Sequence, residues 1–240
     1  MSSTDLNSVQ FNSKTDSDIQ RAQAAFMSRV YAWMSLALCI TGGIAYYLAN
    51  TPELIQMLFA SSMNVWIVII AQVGLVFYLS RSMQKIRSQT ATALFLVYAA
   101  LNGLLFASIF LIYTNESIAS TFLITAGTFA VMSAYGYYTK SDLTSIGNLA
   151  RMALIGLIIA TLVNLFWQNS TLYWICTYAG VLIFVALVAY DTQKVKQLNI
   201  IGNEGTEEDK KESIMGALIL YLDFINLFLY LLRIFGKRRD

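Results

Sequence analysis

SIMGALILYLDFINLFLYLLRIF, residues 213–235, is the stretch that decides the fold of this chain. It is long enough to cross a bilayer as a helix, which takes about 20 apolar residues. Asp223 lies near its middle, where a carboxyl group is unfavourable and usually faces a bundle interior, a watery cavity or an ion path. On a helical projection, one side of this segment is polar, and it carries Gly216, Asp223, Asn226, Tyr230 and Arg233. We therefore predict a central helix whose polar stripe is wrapped by other helices.

The composition is that of an integral membrane protein. Of the 240 residues, 57% are hydrophobic and 12% are charged, whereas soluble domains contain about 25% charged residues. The net charge of +2, without a basic patch beside aromatic residues, argues against nucleic-acid binding. The chain has no histidine, which excludes Ser-His-Asp and Cys-His nucleophiles and the HExxH type of zinc site. Because it also lacks a nucleotide-binding motif, we expect no enzyme activity and no bound cofactor.

Apolar runs without strand-like alternation predict seven membrane-spanning helices. The expected spans are residues 30–49, 64–80, 91–113, 117–138, 150–167, 172–192 and 213–235. They form one transmembrane domain over residues 26–236, between a flexible polar N-terminal tail (1–25) and a basic C-terminal tail (237–240). The predicted fold class is therefore an all-α integral membrane protein, built as a seven-helix bundle in the lipid bilayer.

The basic residues of the loops orient this bundle. Lys and Arg occur in the loops after the second, fourth and sixth spans, whereas the alternate loops carry only Glu53 and Glu116 as charged residues. This asymmetry places the N-terminus in the cytoplasm. Seven crossings would put the basic residues 237–239 outside, so a re-entrant last segment is the alternative. We favour seven crossings because the last span has ample length.

Asp191 and Asp223 are the acidic residues that lie within the expected spans. The sixth and seventh spans run antiparallel from one loop, so their carboxyl groups can meet in the cytoplasmic half of the bundle. Two neighbouring carboxylates in a low-dielectric interior do not both ionise readily, and a shared proton makes them a candidate pH sensor. When deprotonated, the pair offers oxygen ligands to a transient metal ion such as Ca²⁺.

A basic residue is expected beside this pair, and Arg81, at the cytoplasmic end of the second span, is the best candidate. Asn226 and Tyr230 continue the polar stripe of the central helix beyond Asp223. The alternative interpretation is structural: an intramembrane aspartate can simply hydrogen-bond a neighbouring helix or pair with a basic residue for packing.

Two further functional classes are compatible with these residues. Intramembrane aspartyl proteases also carry two aspartates on consecutive spans, one of them within a Tyr-Asp dipeptide, and Tyr190-Asp191 fits that pattern. Asp223, however, follows Leu-Tyr-Leu instead of Gly-x-Gly, and no proline occurs after Pro52 to supply the Pro-Ala-Leu motif of those enzymes. A protease is therefore much less favoured than a non-transporting regulator that binds another membrane protein through its helices or tails.

Four blocks of the chain resemble the bacterial branch of the transmembrane Bax inhibitor motif family. They are FMSRVYAWMSLALCITGG (26–43), SDLTSIGNLARMALIGLIIATLVNLF (141–166), VAYDTQKV (188–195) and ALILYLDFINLFLYLLRIFG (217–236). The resemblance covers nearly the whole chain after the tail. It implies six helices around a central C-terminal helix and, in a bacterium, a location in the cytoplasmic membrane.

The same resemblance implies a pH-sensitive calcium leak. In that mechanism, two aspartates on the last two helices share a proton and form a latch with an arginine of the second helix. Matched residue by residue, the aspartates are Asp191 and Asp223, and the arginine is Arg81, with Arg87 as the alternative. Bacterial relatives further imply a membrane-bound AAA protease as a partner, to which no residue of this chain can be assigned.

Overall fold

The structure is a computed structural model that describes residues 16–83, 85–199 and 203–239. The helices in these ranges are α1 (Asp16–Ala49), α2 (Pro52–Phe59), α3 (Ser62–Ser82), α4 (Ser88–Ile112), α5 (Asn115–Tyr138), α6 (Thr144–Trp167), α7 (Ser170–Leu198) and α8 (Glu207–Phe235). All of them except the short α2 are long and apolar enough to cross a membrane. The expected all-α arrangement with seven spans is therefore confirmed. Residues 16–25 of the expected tail belong to α1, and residues 1–15 lie outside the described part of the chain.

Side-chain caps mark the starts of four spanning helices, including α3, where Ser61 accepts a hydrogen bond from the N–H of Met63. Thr114, Asn169 and Thr206 each accept a hydrogen bond from a backbone N–H in the first turn of α5, α7 and α8. Thr206 is followed directly by three acidic residues, which favour the positive end of a helix dipole. These signals start α8 at Glu207, well before the expected first residue of the last span, Ser213.

The last helix, α8, is the most enclosed of the spanning helices. In its apolar core, 67% of the residues are buried, compared with 11% in α3 and in α6. Helices α1, α4, α5 and α7 form its main surroundings, whereas α3 packs chiefly on α4, and α6 packs on α7. Four helices thus supply most of the direct contacts of α8, and the expected ring of six helices around it is not confirmed.

The two ends of α8 lie on opposite faces of the bundle. At its start, the Glu207 carboxylate accepts hydrogen bonds of 3.0 Å from the backbone N–H and the hydroxyl of Ser88, the first residue of α4. Beyond its end, the carbonyl oxygen of Lys237 accepts a 2.9 Å bond from the N–H of Thr114, in the α4–α5 connection. We call these the N-terminal face and the C-terminal face. Because α8 is one continuous helix between them, the re-entrant alternative is wrong.

Candidate functional site

The structure brings Asp191 of α7 and Asp223 of α8 together inside the bundle. Their carboxyl groups lie within hydrogen-bonding reach of each other. Asp191 is 7% exposed and Asp223 is 5% exposed. Two carboxyl oxygens can share a hydrogen bond only when one of them carries a proton, so the geometry favours a singly protonated pair.

One oxygen of this pair accepts no hydrogen bond from an N–H or hydroxyl donor. Among the described residues, Oδ2 of Asp223 is buried and has no hydrogen-bond partner. Buried polar atoms are nearly always paired, and an exception requires an explanation, such as a functional role or a bound water or ion. This oxygen is buried inside the bundle, where the proton shared with Asp191, a water molecule or a cation would complete its bonding.

Arg151 of α6 is the arginine that contacts the pair. Its Nη2 atom donates a 3.2 Å hydrogen bond to Oδ1 of Asp191, and the Arg151 side chain is 52% exposed. The guanidinium carbon also lies 4.8 Å from the centre of the Tyr190 ring, in a cation–π contact. Arg151 therefore connects the buried carboxyl pair with the outside of the bundle.

The expected third member, Arg81, lies elsewhere. It is exposed in the last turn of α3, and α3 packs chiefly on α4, away from the contact between α7 and α8. Helix α6, in contrast, packs directly on α7. The predicted position of the arginine is therefore corrected from the second span to the fifth. Gly147 and Arg151 are four residues apart and share one face of a helix, but this spacing alone does not distinguish Arg151 from Arg81.

Two glycines let the neighbouring helices approach α7 next to Asp191. A Cβ atom on Gly147 of α6 would lie 2.3 Å from the Tyr190 ring, and one on Gly136 of α5 would lie 2.1 Å from the carbonyl oxygen of Ala189. Any larger residue at either position would push its helix away from α7. The close approach at Gly147 is what places Arg151, one turn further along α6, within reach of Asp191.

The residues after Asp191 fix α7 on its other side. The hydroxyl of Thr192 lies 3.0 Å from that of Ser133 on α5, which lies 2.6 Å from the hydroxyl of Tyr31 on α1. The amide oxygen of Gln193 accepts a 3.0 Å bond from the N–H of Leu143 in the α5–α6 connection. Each residue from Tyr190 to Gln193 thus has its own contact, and together these contacts set the position of Asp191.

The rest of the polar stripe of α8 contacts α7 or its own helix. The amide of Asn226 donates a 2.8 Å bond to the carbonyl oxygen of Leu222, within α8. The Tyr230 ring stacks on Phe184 of α7 at 5.8 Å between centres, and it lies against Gly180, where a Cβ atom would be 2.5 Å away. The stripe therefore follows the contact between α7 and α8 from Asp223 toward the C-terminal face.

The donor set is too small for a resident metal ion. Among the described residues, no group of three or more His, Cys, Asp or Glu side chains could hold one. Two carboxyl groups supply fewer oxygens than the six to eight that Ca²⁺ prefers, and Arg151 competes for one of them. Water would have to supply most of the ligands of any cation that the pair binds.

Fold and site together define a polytopic membrane protein with a buried carboxyl pair, linked to an arginine, between its most enclosed helix and the preceding helix. The family model described as "Inhibitor of apoptosis-promoting Bax1" matches residues 23–240. The chain belongs to this family, the Bax inhibitor-1 family.

Several relatives are similar over nearly their full length. The inner membrane protein YbhL of Escherichia coli (strain K12) is 50% identical over 89% of this chain and 92% of its own. An uncharacterized protein of Borreliella burgdorferi is 46% identical over 90% of this chain and 93% of its own. An uncharacterized protein of Rickettsia prowazekii is 43% identical over 98% of this chain and 97% of its own.

Proposed function

We propose that this chain is a pH-sensitive cation leak of the membrane, with Ca²⁺ as the permeating ion and ion homeostasis as its role. The observation that carries the proposal is the Asp191–Asp223 pair, buried at the centre of the bundle with one carboxyl oxygen of Asp223 unpaired. Ionisable residues inside a membrane are unfavourable, and they typically mark ion or proton pathways. The proposal includes no catalytic residue and no organic cofactor.

In the proposed mechanism, a proton shared by the two carboxyl groups holds α7 and α8 in the closed packing. At higher pH the proton leaves, and two negative charges then face each other in a low dielectric. Arg151 of α6 is the cation that faces the pair directly, and Lys194 of α7 contributes a weaker attraction. Repulsion between the carboxylates opens the contact between α7 and α8 at the N-terminal face. Cations then pass beside Asp223 along their gradient.

We further propose that the N-terminal face is cytoplasmic and that the chain lies in an inner membrane, the location that the name of the inner membrane protein YbhL gives for that relative. The basic residues between the spans support this orientation, because the connections on that face carry the Lys and Arg residues. The carboxyl pair then lies nearer the cytoplasmic mouth, and cytoplasmic pH is the variable that it senses.

Ca²⁺ flux into liposomes tests the proposal. Purified wild-type protein is reconstituted beside Asp191→Asn and Asp223→Asn, and flux is followed from mildly acidic to mildly alkaline pH. We expect flux that rises with pH in the wild type and loses its pH dependence in both variants. The matched control is Asp142→Asn, since Asp142 is an exposed carboxylate in the α5–α6 connection.

The control also has a defined ionisation state. Hydrogen bonds from the side chain and backbone of Thr144 lower the pKa of Asp142 below its usual value. Asp142 is therefore already ionised across the tested range, and its replacement should leave the pH profile of the flux unchanged. If the folded wild-type protein carries no flux at any pH, the leak is refuted. A regulator of a membrane-bound protease or another membrane partner then becomes the better hypothesis.

A further inference from the structure

A second polar site lies on the C-terminal face, at the far end of α8 from the carboxyl pair. A cavity of about 430 Å³ opens between the α6–α7 connection and the last turn of α8. Its polar lining comes from Thr161, Asn164, Gln168, Asn169, Ser170, Tyr173 and Arg233. None of the residues that line it is acidic, and Arg233 supplies its one charged group.

The guanidinium of Arg233 is held in place by aromatic rings instead of by a carboxylate. Its central carbon lies 4.9 Å from the centre of the Tyr230 ring and 5.7 Å from that of Tyr173. Within the described part of the chain, no carboxylate forms an ion pair with Arg233. Stacking on rings orients a guanidinium and leaves its N–H groups available for an anion.

The two asparagines of the cavity have their oxygens occupied. Oδ1 of Asn164 accepts a 2.9 Å bond from the backbone N–H of Asn169, and Oδ1 of Asn169 accepts a 2.9 Å bond from the N–H of Leu172. A backbone N–H can bond only to an oxygen, so the orientation of each amide is fixed. Each side chain therefore has its NH₂ group, a hydrogen-bond donor, left to offer to a ligand.

We propose that this cavity binds a phosphate group. Arginine presents its donors in a planar fork that matches phosphate oxygens, and the two amide groups add neutral donors beside it. A cation would meet an unneutralised positive charge and find few free acceptors. Ser170, the first residue of α7, also lines the cavity and adds the weak positive potential of a helix start.

The phosphate group has two potential sources. Phe166 and Trp167, at the end of α6, are 87% and 77% exposed, as expected for side chains at the level of the lipid headgroups. A phospholipid of the adjacent leaflet could thus place its phosphate in the cavity, and free inorganic phosphate could reach it from the aqueous side. The site is independent of the proposed leak, since it involves neither Asp191 nor Asp223.

Binding to the full chain in a phosphate-free maltoside detergent tests the proposal. Inorganic phosphate is titrated by calorimetry, and phosphatidylglycerol is compared with diacylglycerol, which lacks the phosphate, by native mass spectrometry. We expect Arg233→Gln to weaken binding by about tenfold or more, the loss typical of a charge-assisted hydrogen bond. The matched control is Arg239→Gln, because Arg239 contacts Asn115 on the same face, 2.9 Å away, outside the cavity.

Dependence of inorganic phosphate binding on Arg233 identifies a free-anion site. Arg233-dependent binding of phosphatidylglycerol alone identifies a lipid site, and either result supports the proposal. Absence of binding by both probes, or an equal loss in Arg233→Gln and Arg239→Gln, overturns it. Should Arg233→Gln fail to fold, Asn164→Asp replaces it. This variant keeps the oxygen that accepts the bond from Asn169, and it adds a carboxylate that repels the anion. Unchanged phosphate binding by Asn164→Asp would also overturn the proposal.

Discussion

Helix α8 carries two buried aspartates with opposite surroundings. Asp209, in its first turn, is 1% exposed and fully paired: Nη2 of Arg29 bonds to its two oxygens at 2.7 and 2.8 Å, and the N–H of Gly205 bonds to Oδ2 at 2.7 Å. Asp223, in mid-helix, lies within hydrogen-bonding reach of Asp191, and among the described residues its Oδ2 has no hydrogen-bond partner.

The difference separates a structural acid from a functional one. A carboxylate with every oxygen paired, beside an arginine and at the positive end of a helix, is held in one place by its hydrogen bonds. A carboxyl pair with an unpaired oxygen can improve its bonding by gaining or losing a proton, or by taking up a cation. Asp209 therefore ties α8 to α1 at the N-terminal face, whereas Asp223 is suited to change state.

The largest effect on stability is expected for Asp209→Asn. The amide removes the charge that Arg29 and Gly205 bind, and it places an NH₂ group against a donor. Loss of one partner from a buried ion pair typically costs 3–5 kcal/mol, and the 41% exposure of the Arg29 side chain reduces this to about 3 kcal/mol. Denaturation of the protein in mixed micelles measures the free energy of unfolding. A loss no greater than that of Asp223→Asn would show that the two aspartates are equivalent.

The second largest effect on stability is expected at the close contact of α6 with α7. Gly147→Ala places a Cβ atom 2.3 Å from the Tyr190 ring, and such overpacking costs about 1–3 kcal/mol. It should also move Arg151 away from Asp191 and shift the pH dependence of the flux. Gly156→Ala on the same helix is the matched control, since nothing lies within 4 Å of its Cβ position.

That control is expected to be neutral or to stabilise by about 0.5–1 kcal/mol, because alanine favours a helix over glycine. The same assays on both variants separate a contact effect from a helix-propensity effect. Equal stability of the two variants would mean that the distance between α6 and α7 is not set at Gly147.

The apolar spans and the enclosed position of the last helix could be predicted from the sequence because both depend on local patterns. Long apolar runs define spans, and an aspartate in one of them requires an enclosed environment. The arginine partner could not be found in this way. Arg81 and Arg151 both lie near the ends of spans, and only the packing of α6 on α7 decides between them.

Asp209 shows a second limit of structure prediction from the sequence. Its run of acidic and basic residues is typical of a solvated loop, yet the carboxyl group is 1% exposed. The cap at Thr206 extends α8 back to Glu207, which carries Asp209 into the bundle beside Arg29. A helix start can be predicted from local residues, whereas a partner 180 residues away in sequence is a property of the tertiary fold.

The third prediction is a change in unfolding free energy opposite in direction to that of Asp209→Asn. Asp223→Asn should leave the free energy of unfolding unchanged or raise it by about 1 kcal/mol at neutral pH. The amide can donate to the Asp191 carboxylate without a shared proton, and one buried acid is removed. The same denaturation assay measures it, together with the flux assay, in which the pH dependence should be lost. A destabilisation as large as that of Asp209→Asn would assign Asp223 a structural role.

The smallest effect on stability is expected for Arg151→Gln, together with a shift in the pH dependence of the flux. A half-exposed ion pair contributes about 0–1 kcal/mol, so the unfolding free energy should barely change. Loss of the positive charge, however, makes deprotonation of the carboxyl pair less favourable. The rise of flux should therefore move to higher pH, in the liposome assay used for the aspartate variants. Arg81→Gln removes the same charge from the end of α3 and should keep the wild-type profile. If the pH profile of the flux shifts in Arg81→Gln but not in Arg151→Gln, the arginine that controls the carboxyl pair lies on the second span, and the contact between Arg151 and Asp191 has no role in gating.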